Sequence, residues 1–303
     1  MAALLGTWWG LRLFASYDGR VKALVSQTVR LIAVVALVTA AGCSGPSAET
    51  ADSSKPDKAT APSPTQTAAP APGADACYQL VAADVDRAHN ESTPVPCTSR
   101  HTSQTYVVDT LAAATIGDPQ DIDGNALLAA AEQRCRSALP EQVGGSAKDR
   151  ALSRVTFAWF VPSEAEIAKG ADWVRCDVVA SRDDTDLATL PRSSKDLLAP
   201  DEALERWGIC ARATAAELQA GKGQRMCAVT HNWRAVSTYR LGDADAAWPG
   251  EKSVGGRILQ RCEKPVRAFL DDSTGAVTVG WLPPTSAQWA QGRRSGLCWA
   301  NTK

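Results

Sequence analysis

Runs in which β-branched and aromatic residues cluster predict strands at Thr105–Leu111, Val155–Val161 and Trp173–Val179, and again at Trp233–Leu241 and Ala276–Trp281. Between the first two lies an alanine-rich stretch, Asn125–Leu139. Asp123 is placed to cap it and Pro140 to stop it, so a helix is expected there. The later set has a counterpart in a helix capped by Ser253 and running through Cys262, which Pro265 should end or kink. Each set also carries a capping box, Ser163 with Glu166 and Thr285 with Gln288, the pattern in which a side-chain oxygen and the residue three positions on satisfy each other's free amides at a helix start. Gly170 and Gly292 follow one short helix later, where a left-handed cap favours glycine. The final strand is expected to be short, because the sequence stops five residues after Cys298.

The two sets match residue for residue. At a constant offset of 122, Trp159, Pro162, Ser163, Ala165, Ala168, Gly170 and Cys176 fall on Trp281, Pro284, Thr285, Ala287, Ala290, Gly292 and Cys298. Cys97-x3-His101 returns as Cys227-x3-His231 at an offset of 130. The pattern reads as a duplicated α+β module: two tandem, disulfide-bonded copies at 77–181 and 204–303, each of antiparallel strands with one longer and one short helix. A polar linker, 182–203, is expected between them. Trp159 and Trp281 are expected to fill the core beneath the short helices, since large aromatics dominate core burial.

Ahead of the first copy the pattern changes. Leu31–Gly42 is an apolar run of 12 residues behind Lys22 and Arg30, well short of the ~20 that a spanning helix needs, and is laid out like a secretory signal. It ends Thr39-Ala-Ala-Gly-Cys43, which resembles the lipobox of bacterial lipoproteins. That resemblance implies a diacylglycerol on Cys43, loss of residues 1–42, and a location on the outer face of the plasma membrane, with the membrane as partner through the anchor; two acyl chains suffice for stable attachment. Residues 1–20 would make the signal unusually long, so translation is expected to start at Val21. The Ser-, Thr-, Ala- and Pro-rich stretch from Ser44 to Ala76 has too little apolar bulk to fold. As a coil it reaches about 30 Å, and residues 43–76 read as a lipid-anchored tether.

Formal net charge is −1 but unevenly spread. Residues 77–190 carry 10 Lys and Arg against 17 Asp and Glu, −7; residues 201–303 carry 14 against 10, +4. The halves can attract each other, or the second can face an anionic surface. Neither shows the basic and aromatic interleaving of a nucleic-acid binder.

Cys43 stands apart from eight other cysteines, which divide into Cys77, Cys97, Cys135, Cys176 and Cys210, Cys227, Cys262, Cys298. An even, repeated set in an exported chain reads as disulfides. Each set allows three pairings. Neighbour pairing is favoured, Cys77–Cys97, Cys135–Cys176, Cys210–Cys227 and Cys262–Cys298, because it closes one short loop and clamps the long helix to the last strand. Structural zinc prefers close Cys pairs and thiol redox catalysis prefers Cys-x-x-Cys; neither spacing occurs, so no metal and no cofactor is expected. There is no G-x-S-x-G, and Gly144-Gly145 and Gly255-Gly256 read as turns. His89 reads as a loop residue. His101 and His231, each four residues after a cysteine, read as side chains bonded to backbone carbonyls, with a binding contact as the alternative.

Taken in order, a cysteine, Pro-Cys-x3-His, a helix cysteine and W-x2-P-x10-14-C resemble the septum formation family, a domain of actinobacterial cell-envelope proteins. The resemblance covers about 77–180 and 207–301. Asp75-Ala76 and Gly208-Ile209 stand where that family usually has Gly-Asp, and Gln104 and Arg234 where it usually has glutamate. The resemblance implies a link to cell division and implies no reaction. The function expected is a non-enzymatic envelope lipoprotein that binds a cell-wall component or another envelope protein. The alternatives are an envelope hydrolase with a His-centred site and a structural spacer.

Overall fold

A computed structural model describes residues 70–112, 124–243, 245–272, 274–290 and 293–302. The expectations for the signal, Cys43, the tether up to residue 69, the Asp123 cap and Gly292 lie outside these residues. Within them the chain is a mixed α/β protein with two antiparallel sheets and four disulfides.

Strands β1 (Cys77–Tyr78), β2 (Ser103–Thr110), β3 (Val155–Phe160) and β4 (Trp173–Ala180) form the first sheet, in the order β1-β2-β4-β3. Strands β5 (Ile209–Ala211), β6 (Gln224–Met226), β7 (Trp233–Arg240), β8 (Val279–Leu282) and β9 (Ser295–Asn301) form the second, in the order β6-β5-β7-β9-β8. In the first sheet a bulge falls between Thr105 and Val107, and Val107 and Trp159 both pair with Cys176. In the second a bulge falls between Ala235 and Ser237, and Ser237 and Trp281 both pair with Cys298. The last strand is not short. It is an inner strand paired along its length with β7 as far as Asn301, and with β8 from Leu297 to Ala300.

Each sheet is covered on one face by a helix of 20 residues. In the first, α2 (Gly124–Val143; α1 is the single turn Ala82–Val85) buries Leu127, Ala131 and Cys135 against Phe157, Trp159, Val174 and Cys176. In the second, α7 (Glu251–Leu270) buries Val254, Ile258, Cys262 and Val266, spaced by four, against Leu241, Trp289, Cys298 and Ala300. Both helices run through their prolines, contrary to expectation. An internal proline costs about 3 kcal/mol, but burying one further valine contributes about 1.5–3 kcal/mol. Val143 lies three residues beyond Pro140 and Val266 one beyond Pro265, both buried to 1% exposure or less. Helix α7 begins at Gly250 rather than Ser253 and stops at Asp271 in the left-handed conformation. Gly255 and Gly256 therefore lie inside a helix and not in a turn; the apolar stripe on the other side of α7 decides the conformation.

The remaining helices are short: α3 (Ala147–Ala151), α4 (Glu164–Ile167), α5 (Ala203–Trp207), α6 (Ala215–Gln219) and α8 (Ser286–Ala290). One short helix per sheet was too few, since α3 and α6 carry capping boxes of their own, Ser146 with Asp149 and Thr214 with Glu217. The boxes at Ser163 and Thr285 cap α4 and α8, and Gly170 has φ of +89°.

The stretch 182–203, read as a polar linker, is packed. Leu187, Ala188, Leu190 and Leu198 are buried, and backbone bonds tie Ala188 to Ala180, Leu190 to His101 and Leu198 to Val143. It helps to join the sheets: Val143, Val155, Val178, Leu190, Leu198, Trp207 and Met226 share one apolar cluster. Across the joint, the amides of Arg154, Ile209 and Met226 donate to the carbonyls of Trp207, Leu152 and Arg182.

Candidate functional site

The disulfides join Cys77 to Cys97, Cys135 to Cys176, Cys210 to Cys227 and Cys262 to Cys298, with Cα–Cα distances of 5.3, 5.3, 4.9 and 5.0 Å. The two longer links pin α2 to β4 and α7 to β9, fixing a rigid frame on one face of each sheet.

The histidines do not converge. His101 is buried, with Nδ1 2.9 Å from the carbonyl of Ser99 and Nε2 3.1 Å from that of Pro191. Both ring nitrogens thus face backbone oxygens, and the residue ties the packed 182–203 stretch to the start of β2. His231 is half-buried, with Nδ1 2.8 Å from the carbonyl of Val229. His89 has Nδ1 3.0 Å from the carbonyl of Val161. No group of three or more His, Cys, Asp or Glu side chains suited to a metal occurs among the described residues.

On the first sheet, the face away from α2 is filled by a buried ion pair. Arg175 Nη2 lies 3.1 Å from Asp177 Oδ2, with both side chains at most 2% exposed. Ser103 Oγ and Thr105 Oγ1 donate to the Asp177 carboxylate at 2.7 and 2.8 Å. The Arg175 guanidinium is 4.0 Å from the Tyr78 ring centre and 4.3 Å from that of Phe160, and Nη2 also donates to Asn90. Burial pushes the Asp177 carboxyl up, and Arg175 with the two hydroxyls pulls it back. Trp173 and Leu80 pack beside this stack, so the face is closed.

On the second sheet, a cavity of about 580 Å³ extends from the face away from α7 round to Glu251 and Val254 at the start of α7. Cys298 points to α7 through its disulfide, so by the alternation of a strand Leu297 and Ser295 point the other way. Leu282, Leu297, Ile209, Pro283 and Pro284 give the cavity an apolar floor. Gln219 to Gly221, at the end of α6, and Gln224 form one wall, and Thr285 and Gln288, at the start of α8, another. Arg240, Arg293 and Arg294 reach it together with Glu251, so its fixed charge is 3 − 1 = +2. The Arg294 guanidinium lies 5.4 Å from the Trp289 ring centre, and Arg240 Nε donates to the Gly242 carbonyl.

A second polar centre lies between the sheets. Arg154, 3% exposed, donates to the carbonyls of Ser181 and Asp183 and to Gln224. Burial pulls its pKa down to about 10, against the pull of Asp184 and Asp183. Asp184 accepts from the Gly223 amide, and burial pushes its carboxyl up. Enclosed and bonded largely to backbone, this centre is a joint.

The cavity was missed in the sequence. The signal was available in the differences between the matched stretches: Phe160, Ala171, Asp172, Trp173 and Arg175 stand 122 residues before Leu282, Arg293, Arg294, Ser295 and Leu297. Large fillers give way to small or aliphatic residues, and an acid gives way to arginine.

The septum formation family matches residues 74–298 in a single span, about three quarters of the sequence, and the chain belongs to that family. No curated protein and no solved structure matches it. Membership links the chain loosely to septum formation and specifies no reaction.

Proposed function

We propose that the protein is a non-enzymatic binding component of the cell envelope, acting in septum formation and held at the membrane by a lipid on Cys43. In this reading it consists of two copies of one module. Their shared ancestry is supported by the two sheet registers, in which the bulge, the paired tryptophan and the helix-linked cysteine recur at constant offsets. The observation that carries the binding role is the asymmetry of the outer sheet faces. The first is plugged by Trp173, Arg175 and Phe160; the second, with Ser295, Leu297 and Leu282 at the matching offsets, holds a cavity. A spacer has no use for such a cavity. A hydrolase needs a positioned base, and His101 is committed to two carbonyls.

The test is replacement of the chromosomal gene, with septa counted. Ser295→Trp, which refills the cavity, should reduce septation, and His231→Gln should leave it unchanged. Loss of function in His231→Gln alone supports the hydrolase; tolerance of both, and of replacement by an unrelated domain, supports the spacer. Cys43→Ser should shift the protein out of the membrane fraction.

A further inference from the structure

We infer that the cavity on the second sheet takes an anionic amphiphile, an acyl or prenyl chain ending in a phosphate or carboxylate. This deepens the binding role proposed above and rests on it. Three observations carry the ligand class. The volume, about 580 Å³, falls within the about 300–1,000 Å³ of small-molecule sites. The floor of Leu282, Leu297 and Pro283 offers no charge, so it suits a hydrocarbon chain rather than a sugar. Arg240 and Arg293 at the rim outweigh Glu251, so charge complementarity places an acidic head there. The matching face of the first sheet, with Asp172 and Trp173 at the offsets of Arg294 and Ser295, is both blocked and without this basic rim, so one site per chain is expected.

The experiment is isothermal titration of the full chain with dodecyl phosphate and laurate, each below its micelle-forming concentration, and with dodecanol below its solubility limit. Dodecyl phosphate should bind one to one, and binding should weaken as salt is raised. It should weaken at least about tenfold in Ser295→Trp and in the Arg240→Glu/Arg293→Glu double variant, with thermal unfolding checked to show that both still fold. Laurate binding as tightly assigns the site to single-chain anions in general; laurate binding more weakly assigns it to phosphate heads. Dodecanol binding as tightly as dodecyl phosphate, binding that survives in Ser295→Trp, or no binding of either anion would overturn the inference. If both anions fail while Ser295→Trp still reduces septation, the binding role stands and only the ligand class falls.

Discussion

Asp177 offers the sharpest test of how the first sheet is closed. Asp177→Ala leaves the Arg175 guanidinium at 2% exposure, between Tyr78 and Phe160, with its counter-charge gone and Asn90 as its remaining side-chain acceptor. Breaking a buried pair from one side costs about 3–5 kcal/mol, because a charge is stranded. Replacing both partners removes that penalty. Arg175→Met with Asp177→Leu leaves only the Ser103 and Thr105 hydroxyls short of an acceptor, a cost of about 1 kcal/mol each. The double variant should therefore be more stable than Asp177→Ala by about 1–3 kcal/mol. In equilibrium urea unfolding, with a slope of about 2–3 kcal/mol per M, Asp177→Ala should lower the midpoint by about 1.5 M and the double variant by about half of that. If Asp177→Ala moves the midpoint by under about 0.3 M, or if the effects of Arg175→Met and Asp177→Leu simply add in the double variant, the two groups do not compensate each other and the account of this face is wrong.

Loop length ranks the disulfides. The chain-entropy relation gives about 3.9 kcal/mol for Cys135–Cys176 and about 3.1 kcal/mol for Cys210–Cys227, from separations of 41 and 17 residues. Paired alanine variants compared by urea unfolding should show the larger loss for the longer loop. Glu166 tests the cap of α4: the Ser163 amide, then its hydroxyl, holds the Glu166 carboxyl below the ordinary carboxylate range. A depressed folded-state value contributes stability above the unfolded-state value and loses it as pH falls. Ser163→Ala should thus cost about 1 kcal/mol at neutral pH, and the gap between variant and parent should shrink as pH drops through the carboxylate range, as followed by melts across pH.

The sequence revealed local signals better than distant ones. Strands rich in β-branched residues lie within a few residues of where their composition put them, and the boxes at Ser163 and Thr285 start helices because the bonds that define them span three residues. The signatures at Ser146 with Asp149 and Thr214 with Glu217 are equally local and start helices in the same way. Pro140 and Pro265 misled because their local cost is opposed by Val143 and Val266, whose burial depends on a sheet assembled from residues far along the chain. The polar look of 182–203 concealed five buried apolar residues, four of which share a cluster with residues of both sheets. The cavity is the least legible feature because the space arises where matched positions differ, as Trp173 does from Ser295 and Arg175 from Leu297.

The central claim is that the second sheet, and not the first, presents the open binding face. Methyl NMR of the full chain titrated with dodecyl phosphate tests it most directly. The account predicts that resonances of Leu282, Leu297 and Ile209 shift together and saturate at one equivalent, while those of Leu80, Val85 and Val174 stay still. Shifts at Leu80, Val85 or Val174, or none at Leu282 and Leu297 while the ligand binds, would contradict it.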